Sequence, residues 1–253
     1  MVESVTGRGN PGRAPLTRDR ALREAIALAD AEGLDAVSMR NLATRLGVVP
    51  MALYKHVANK DDLLGGMVDA LIAEYAVPSP QGTSWREGIR ATILSARATL
   101  VRHPWARRVI ESRTARTPAV LGYMDALAGR FIAGGFSPDL THHVMHVLGH
   151  RIWGFSPEAF TDPDPAGPTD PAPDPDPDPD PEEQAEVVER MRAAYPHITA
   201  IALAAAGGDP ANLARGCDED FEFAFALDLL LDAFERLRAQ GWTSPEMQTA
   251  RPE

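Results

Sequence analysis

The stretch from residue 38 to residue 60, SMRNLATRLGVVPMALYKHVANK, constrains this chain more than any other. Met39, Leu42, Ala43 and Leu46 fall at i, i+3, i+4 and i+7, which predicts a short helix with one apolar stripe. Ser38 is placed to cap its N-terminus. Gly47 can take the left-handed conformation that ends a helix. Pro50 suits the first turn of a second helix, where its missing N–H costs nothing. On that helix Leu53 and Val57, four apart, point inward, and Met51, Tyr54, Lys55 and His56 are left on outward or flanking faces. A short helix, a tight turn and a second short helix with a polar, aromatic outer face is the plan of a helix-turn-helix, whose second helix enters the DNA major groove. Of the chain's 25 basic residues only two are lysines, Lys55 and Lys60, in and just after this second helix. An ammonium on a flexible stem seeks phosphate. Outside such a motif the same two residues read as solvated surface.

A net charge of −11 argues against a nucleic-acid binder until its location is considered. Residues 162–186 hold ten Asp and Glu and no Lys or Arg, which accounts for most of the excess, whereas residues 1–60 hold nine basic and six acidic residues. Such asymmetry is more informative than the total. The single cysteine, Cys217, excludes an intrachain disulfide and a thiolate metal cluster. It sits among acids, the wrong setting for a nucleophilic thiolate. No Gly-rich phosphate loop, Gly-x-Ser-x-Gly or His-Glu-x-x-His is present, so no enzyme and no cofactor is expected. No apolar run approaches the length of a membrane span. The N-terminus, with Arg8, Arg13, Arg18 and Arg20 among Gly and Pro, lacks the apolar centre of a signal peptide, and a cytoplasmic location is expected.

In order along the chain, residues 1–15 are expected to be a disordered basic arm, either a plain terminus or one that touches DNA. A first helix is predicted from Thr17 to about Glu32, with Gly33 stopping it. Asn59 is placed to cap a fourth helix, Lys60 to about Tyr75, whose apolar face is wider than a three-helix head can cover. It should therefore also lie against C-terminal elements. A Pro/Gly linker covers 77–83. Ser84-Trp-Arg-Glu87 is a capping box opening a helix to about Arg102. A short helix or turn follows over 104–112. Further helices are expected from Pro118 to Gly134, from Pro138 to about Phe155, from about Glu182 to Tyr195, from Ile198 to Ala206 and from Asp218 to Arg238. Residues 162–181 are a Pro–Asp repeat with nine prolines, read as an extended, exposed loop. The expected fold is all-α: a helix-turn-helix head over 16–77, then a larger helical domain over 84–240 interrupted by a loop at 160–182. The last long helix is apolar nearly all round and should be buried on two sides, one of them by a second copy.

The run ALADAEGLDAVSMRNLATRLGVVPMALYKHVANKDDLL, residues 27–64, resembles the TetR family of transcriptional regulators. GGFSPDLTHHVMHVLGHRIWG is similar to the effector-binding domain of its tetracycline-repressor branch. The resemblance implies DNA contacts at Ser38, Arg40, Pro50, Met51, Ala52, Tyr54, His56 and Lys60, to which the lysine argument adds Lys55. Arg40 is suited to a guanine edge; Pro50, Met51 and Ala52 offer only apolar contact. The resemblance further implies a homodimer through helices at about 138–155 and 218–238, double-stranded operator DNA and a small-molecule effector as partners. Ala76, Thr92 and Ile110–Glu111 stand where the tetracycline repressor holds its drug and magnesium ion, so tetracycline itself is not the expected effector. A more apolar ligand is expected, lined by Met67, Thr92, Ala96, His103, Met124, Leu127, His142, Met145 and His146.

His142, His146 and His150 recur every four residues on one helical face, and this supports an alternative regulator responsive to metal or pH. The reading carried forward is a repressor that binds a palindromic operator as a dimer and releases it when a small apolar molecule binds.

Overall fold

The computed structural model describes residues 15–75, 78–79, 82–112, 116–153, 181–210, 212 and 218–245. The N-terminal arm up to residue 14, Ala76, the Pro–Asp repeat and Cys217 lie outside them, as does the side chain of His150. The described residues form eleven α-helices, one short 3-10 turn and no strand. Helices α1 to α8 belong to one compact unit and α9 to α11 to a second.

The first unit opens with α1 (Arg18–Glu32), α2 (Met39–Leu46), α3 (Pro50–Leu53) and α4 (Lys60–Ala73). Their ends are set by local chemistry. Thr17 Oγ1 accepts from Arg20 N at 3.2 Å, Ser38 Oγ from Asn41 N at 3.1 Å and Asn59 Oδ1 from Asp62 N at 2.8 Å, each satisfying an otherwise orphaned first-turn N–H. Gly47 ends α2 at φ 61° and ψ 43°, in the left-handed region. The core of the head is built from Ala21, Ala25, Leu28, Leu42, Leu46, Leu53, Val57 and Leu63, all buried. Gly66 permits a close approach of α4 to α1: a Cβ there would stand 2.7 Å from Leu22 Cδ2.

Helices α5 (Trp85–Arg102), α6 (Trp105–Ser112), α7 (Pro118–Ala133) and α8 (Pro138–Trp153) follow. Ser84 and Glu87 form a reciprocal capping box, Thr117 caps α7, and Ser137 Oγ accepts from Leu140 N at 3.1 Å. Helix α7 packs on α4, α5 and α8, and α4 also lies against α6, so the expectation that α4 is covered from the C-terminal side holds. Trp85, Phe131 and Phe136 make an aromatic cluster with centroid separations of 4.8 to 5.8 Å.

The second unit comprises α9 (Pro181–Ala194), α10 (Pro196–Ala205) and α11 (Glu219–Ala239). Asp218 caps α11, its carboxylate accepting from Asp220 N and Phe221 N. Phe223, Leu227, Leu231 and Phe234 form one buried stripe, while Phe221, Phe225 and Leu229 are 62%, 54% and 53% exposed. Among the described residues, one face of this helix is covered and the other is open. Among the described residues no helix is long and apolar enough to cross a membrane.

Candidate DNA-reading surface and effector core

Three helices hold the second helix of the motif in place. Leu53 and Val57 anchor it in the core at 0% exposure. Its far end is braced by Arg18 of α1. The guanidinium donates to both carboxylate oxygens of Asp62, at 2.7 and 2.9 Å, and to the carbonyl of His56 at 3.0 Å. Asp62 Oδ2 also accepts from Ala58 N at 2.8 Å. These bonds tie α1, the end of the α3 turn and the start of α4 into one unit. The Arg18 bond, then the Ala58 N–H, holds the Asp62 carboxyl below its ordinary range, and the same pair raises the Arg18 guanidinium. On the other side Arg45 of α2 reaches Glu24 and Glu32 of α1 at 3.3 and 3.6 Å.

What this frame presents is consistent in character. Arg40, Pro50, Met51, Tyr54, Lys55 and Lys60 are exposed; Ser38, Ala52 and His56 are half-buried. Met51 is 73% and Tyr54 45% exposed. All nine residues singled out in the sequence lie on or beside the segment from the start of α2 to the start of α4. Arg18 and Asp62 were missed, because no local pattern marks a bond across 44 positions.

The head is joined to the C-terminal helices by a second polar cluster. Asp30 Oδ1 of α1 accepts from the Trp105 indole N–H at 2.6 Å and lies 2.8 Å from His103 Nδ1. The opposite ring nitrogen of His103 is 3.9 Å from Glu74, which also pairs with Arg102 at 2.8 Å. Arg108 of α6 pairs with Asp35 at 3.0 Å, and Thr117 at the start of α7 donates to Asp69 of α4. The structure thus engages His103 with the head. Of the other residues expected to line a ligand, Met67, Thr92, Ala96 and Leu127 are buried and Met124 and Met145 half-buried. Thr92 Oγ1 donates to its own helix, to Gly88 O at 2.8 Å. His142 and His146 lie on the exposed side of α8 with ring centroids 4.6 Å apart, opposite the buried Leu140, Val144 and Leu148. Among the described residues no three His, Cys, Asp or Glu are arranged to hold a metal ion.

Residues 21–67 match the family described as bacterial regulatory proteins, tetR family, and residues 77–238 match the tetracyclin repressor-like C-terminal domain. The chain belongs to the tetR family. Among tetR-family relatives, it is 36% identical over 155 residues to an HTH-type transcriptional regulator of Saccharopolyspora erythraea, covering 58% of this chain and 66% of that one. It is 34% identical over 152 residues to the HTH-type transcriptional repressor DrrR1 of Streptomyces coeruleorubidus, covering 58% of this chain and 56% of the relative. The matched part thus spans less than two thirds of either relative's length. The tetR-family protein ActR of Streptomyces coelicolor, solved in complex with actinorhodin, superposes with a TM-score of 0.62 at 25% identity, over 88% of this chain and 98% of that one.

Proposed function

We propose that this tetR-family chain is a transcriptional repressor that binds a palindromic operator as a homodimer and releases it when an apolar small molecule binds among α4, α5 and α7. The observation that carries the reading is the braced second helix of the motif, which presents Met51, Tyr54, Lys55 and the neighbouring Arg40 outward on a head whose own core is complete without them. Arg40 is assigned to a base edge, Lys55 and Lys60 to phosphate, Tyr54 to a phosphate with its ring against the sugar, and Pro50, Met51 and Ala52 to apolar contact with the groove. Ser38 and His56 complete the contact set.

Dimerisation is supported by the uncovered apolar face of α11, where Phe221 and Phe225 stack with centroids 6.2 Å apart. A two-fold dimer sets two recognition helices about one DNA turn apart. Effector control follows from α4, which begins beside the recognition helix and packs farther along on α6 and α7. A ligand with higher affinity for a displaced α4 changes the separation of the two heads and weakens operator binding by the same coupling free energy. ActR was solved with actinorhodin bound, and this supports an effector site in the matching domain. The Pro–Asp repeat is assigned no function.

The test is a titration against the intergenic DNA upstream of the chain's own gene, with a scrambled duplex as control, at two salt concentrations. Arg40→Ala is expected to weaken the specific complex by ~1–3 kcal/mol. Lys60→Ala is expected to lower the logarithmic salt slope by about 1. Equal, weak binding to both duplexes, unchanged in Arg40→Ala, would refute the assignment.

A further inference from the structure

Along α7, Val120, Tyr123, Met124 and Leu127 share one face, turned inward where α7 meets α4 and α5. There Tyr123 meets Tyr75, two residues beyond the end of α4, edge to face with centroids 5.3 Å apart. Tyr75 is only 7% exposed. The hydroxyl oxygen of Tyr123 is buried and has no hydrogen-bond partner among the described residues; on α8, which also packs on α7, Thr141 Oγ1 is in the same condition. Buried hydroxyls are nearly always paired, because an unpaired one keeps the full cost of leaving water. A phenylalanine at position 123 would keep the ring contact and avoid that cost, so the hydroxyl calls for a reason of its own.

The surroundings define what can repay it. Burial, and after it the neighbouring Tyr75, pushes the Tyr123 hydroxyl up. The group therefore stays protonated and is a donor, and in so buried a place an uncharged acceptor oxygen is favoured over an anionic one, which would carry a larger cost of leaving water. Tyr75 offers an aromatic surface, and Met124, next to Tyr123 on α7, adapts readily to ring systems.

We infer that the Tyr123 hydroxyl is the polar contact for the effector, and that the effector is an apolar, ring-bearing molecule presenting an uncharged oxygen, a ketone, quinone or phenol, to the Tyr75–Tyr123 pair. The inference rests on the effector-domain reading above and names the ligand class for it. It also places the ligand against Tyr75, two residues past the end of α4, the helix that leads to the DNA-reading surface.

The experiment uses the full chain and two probes of nearly equal shape, 2-acetylnaphthalene and 2-isopropenylnaphthalene, which differ in an acceptor oxygen. Binding is followed by calorimetry in wild type and Tyr123→Phe. The ketone is expected to bind wild type about tenfold more tightly than the alkene, and Tyr123→Phe to remove that preference while leaving alkene affinity unchanged. Without ligand, Tyr123→Phe is expected to melt at the same or a higher temperature than wild type. No ketone preference in wild type, whether from equal binding or from none, overturns the inference, as does a preference that survives in Tyr123→Phe or a clear loss of stability in that variant. Operator affinity of the same samples, measured without ligand, is a separate readout: its absence in wild type counts against the regulator reading and leaves the ligand comparison intact.

Discussion

Replacing Arg18 with Ala tests how the recognition helix is held. The substitution removes two charge-assisted bonds to Asp62 and one to the His56 carbonyl. The pair is partly open to water, with side-chain exposures of 42% and 33%, so its attraction is screened and is discounted to the range of a surface ion pair, ~0.2–1 kcal/mol. The bond to His56 O adds ~0.5–1 kcal/mol, since water can replace the lost donor. A total of ~1–2 kcal/mol is expected, read as a shift in denaturant midpoint with unchanged slope. Operator affinity should fall as well, because the His56 carbonyl closes the recognition helix. The pH dependence has a definite sign. Asp62 is held below its unfolded value near 3.8, so the pair's contribution is fully present above that value and is lost as pH falls through the lower folded value. A double-mutant cycle of Arg18→Ala with Asp62→Ala should give a coupling energy that is flat from about pH 5 to pH 8 and that declines once the pH falls below the unfolded value near 3.8. A coupling that is absent at pH 7, or that persists unchanged at pH 3, would refute the reasoning.

Two further outcomes follow from the contacts between helices. Asp30→Ala leaves the Trp105 indole N–H, on a side chain only 2% exposed, without its acceptor, and is expected to cost ~1–3 kcal/mol in chemical denaturation. The same substitution in a Trp105→Phe background should cost clearly less, and equal costs in both backgrounds would show that the indole bond contributes nothing. Gly134→Ala would set a Cβ 2.7 Å from Trp85 Cβ and Cγ, atoms close to the backbone that cannot swing away. A loss of ~1–3 kcal/mol in thermal unfolding is expected; a stabilised variant would mean that α5 and the end of α7 are more loosely packed than described.

The helix boundaries were legible because the signals that set them are local. Thr17, Ser38, Asn59, Thr117 and Asp218 each cap a helix at or within one residue of where the pattern placed it. The outward set on the recognition helix was legible for the same reason, since Leu53 and Val57 fix the inward direction over a single turn. What could not be read depends on pairing across the chain. Arg18 and Asp62 look like ordinary surface charges in sequence, and Asp30 gives no sign of meeting Trp105, 75 positions away. His103 looked like a ligand group, yet its ring lies beside Asp30 of the head. The histidines of α8 recur at helical spacing, but spacing alone does not say which face is covered, and His142 and His146 are on the exposed one. The all-round apolar character of α11 predicted two covered sides, and among the described residues one is covered.

Under the proposed function, two copies of this head read a two-fold DNA site. The most direct measurement is selection of bound duplexes from a random-sequence library by the purified full-length chain, with Arg40→Ala carried in parallel. Enrichment of an inverted repeat whose half-sites lie about one helical turn apart is expected, with loss of enrichment at the guanine-bearing position in the variant. A library that stays random, or that yields only a single half-site with the same pattern in both proteins, would contradict it.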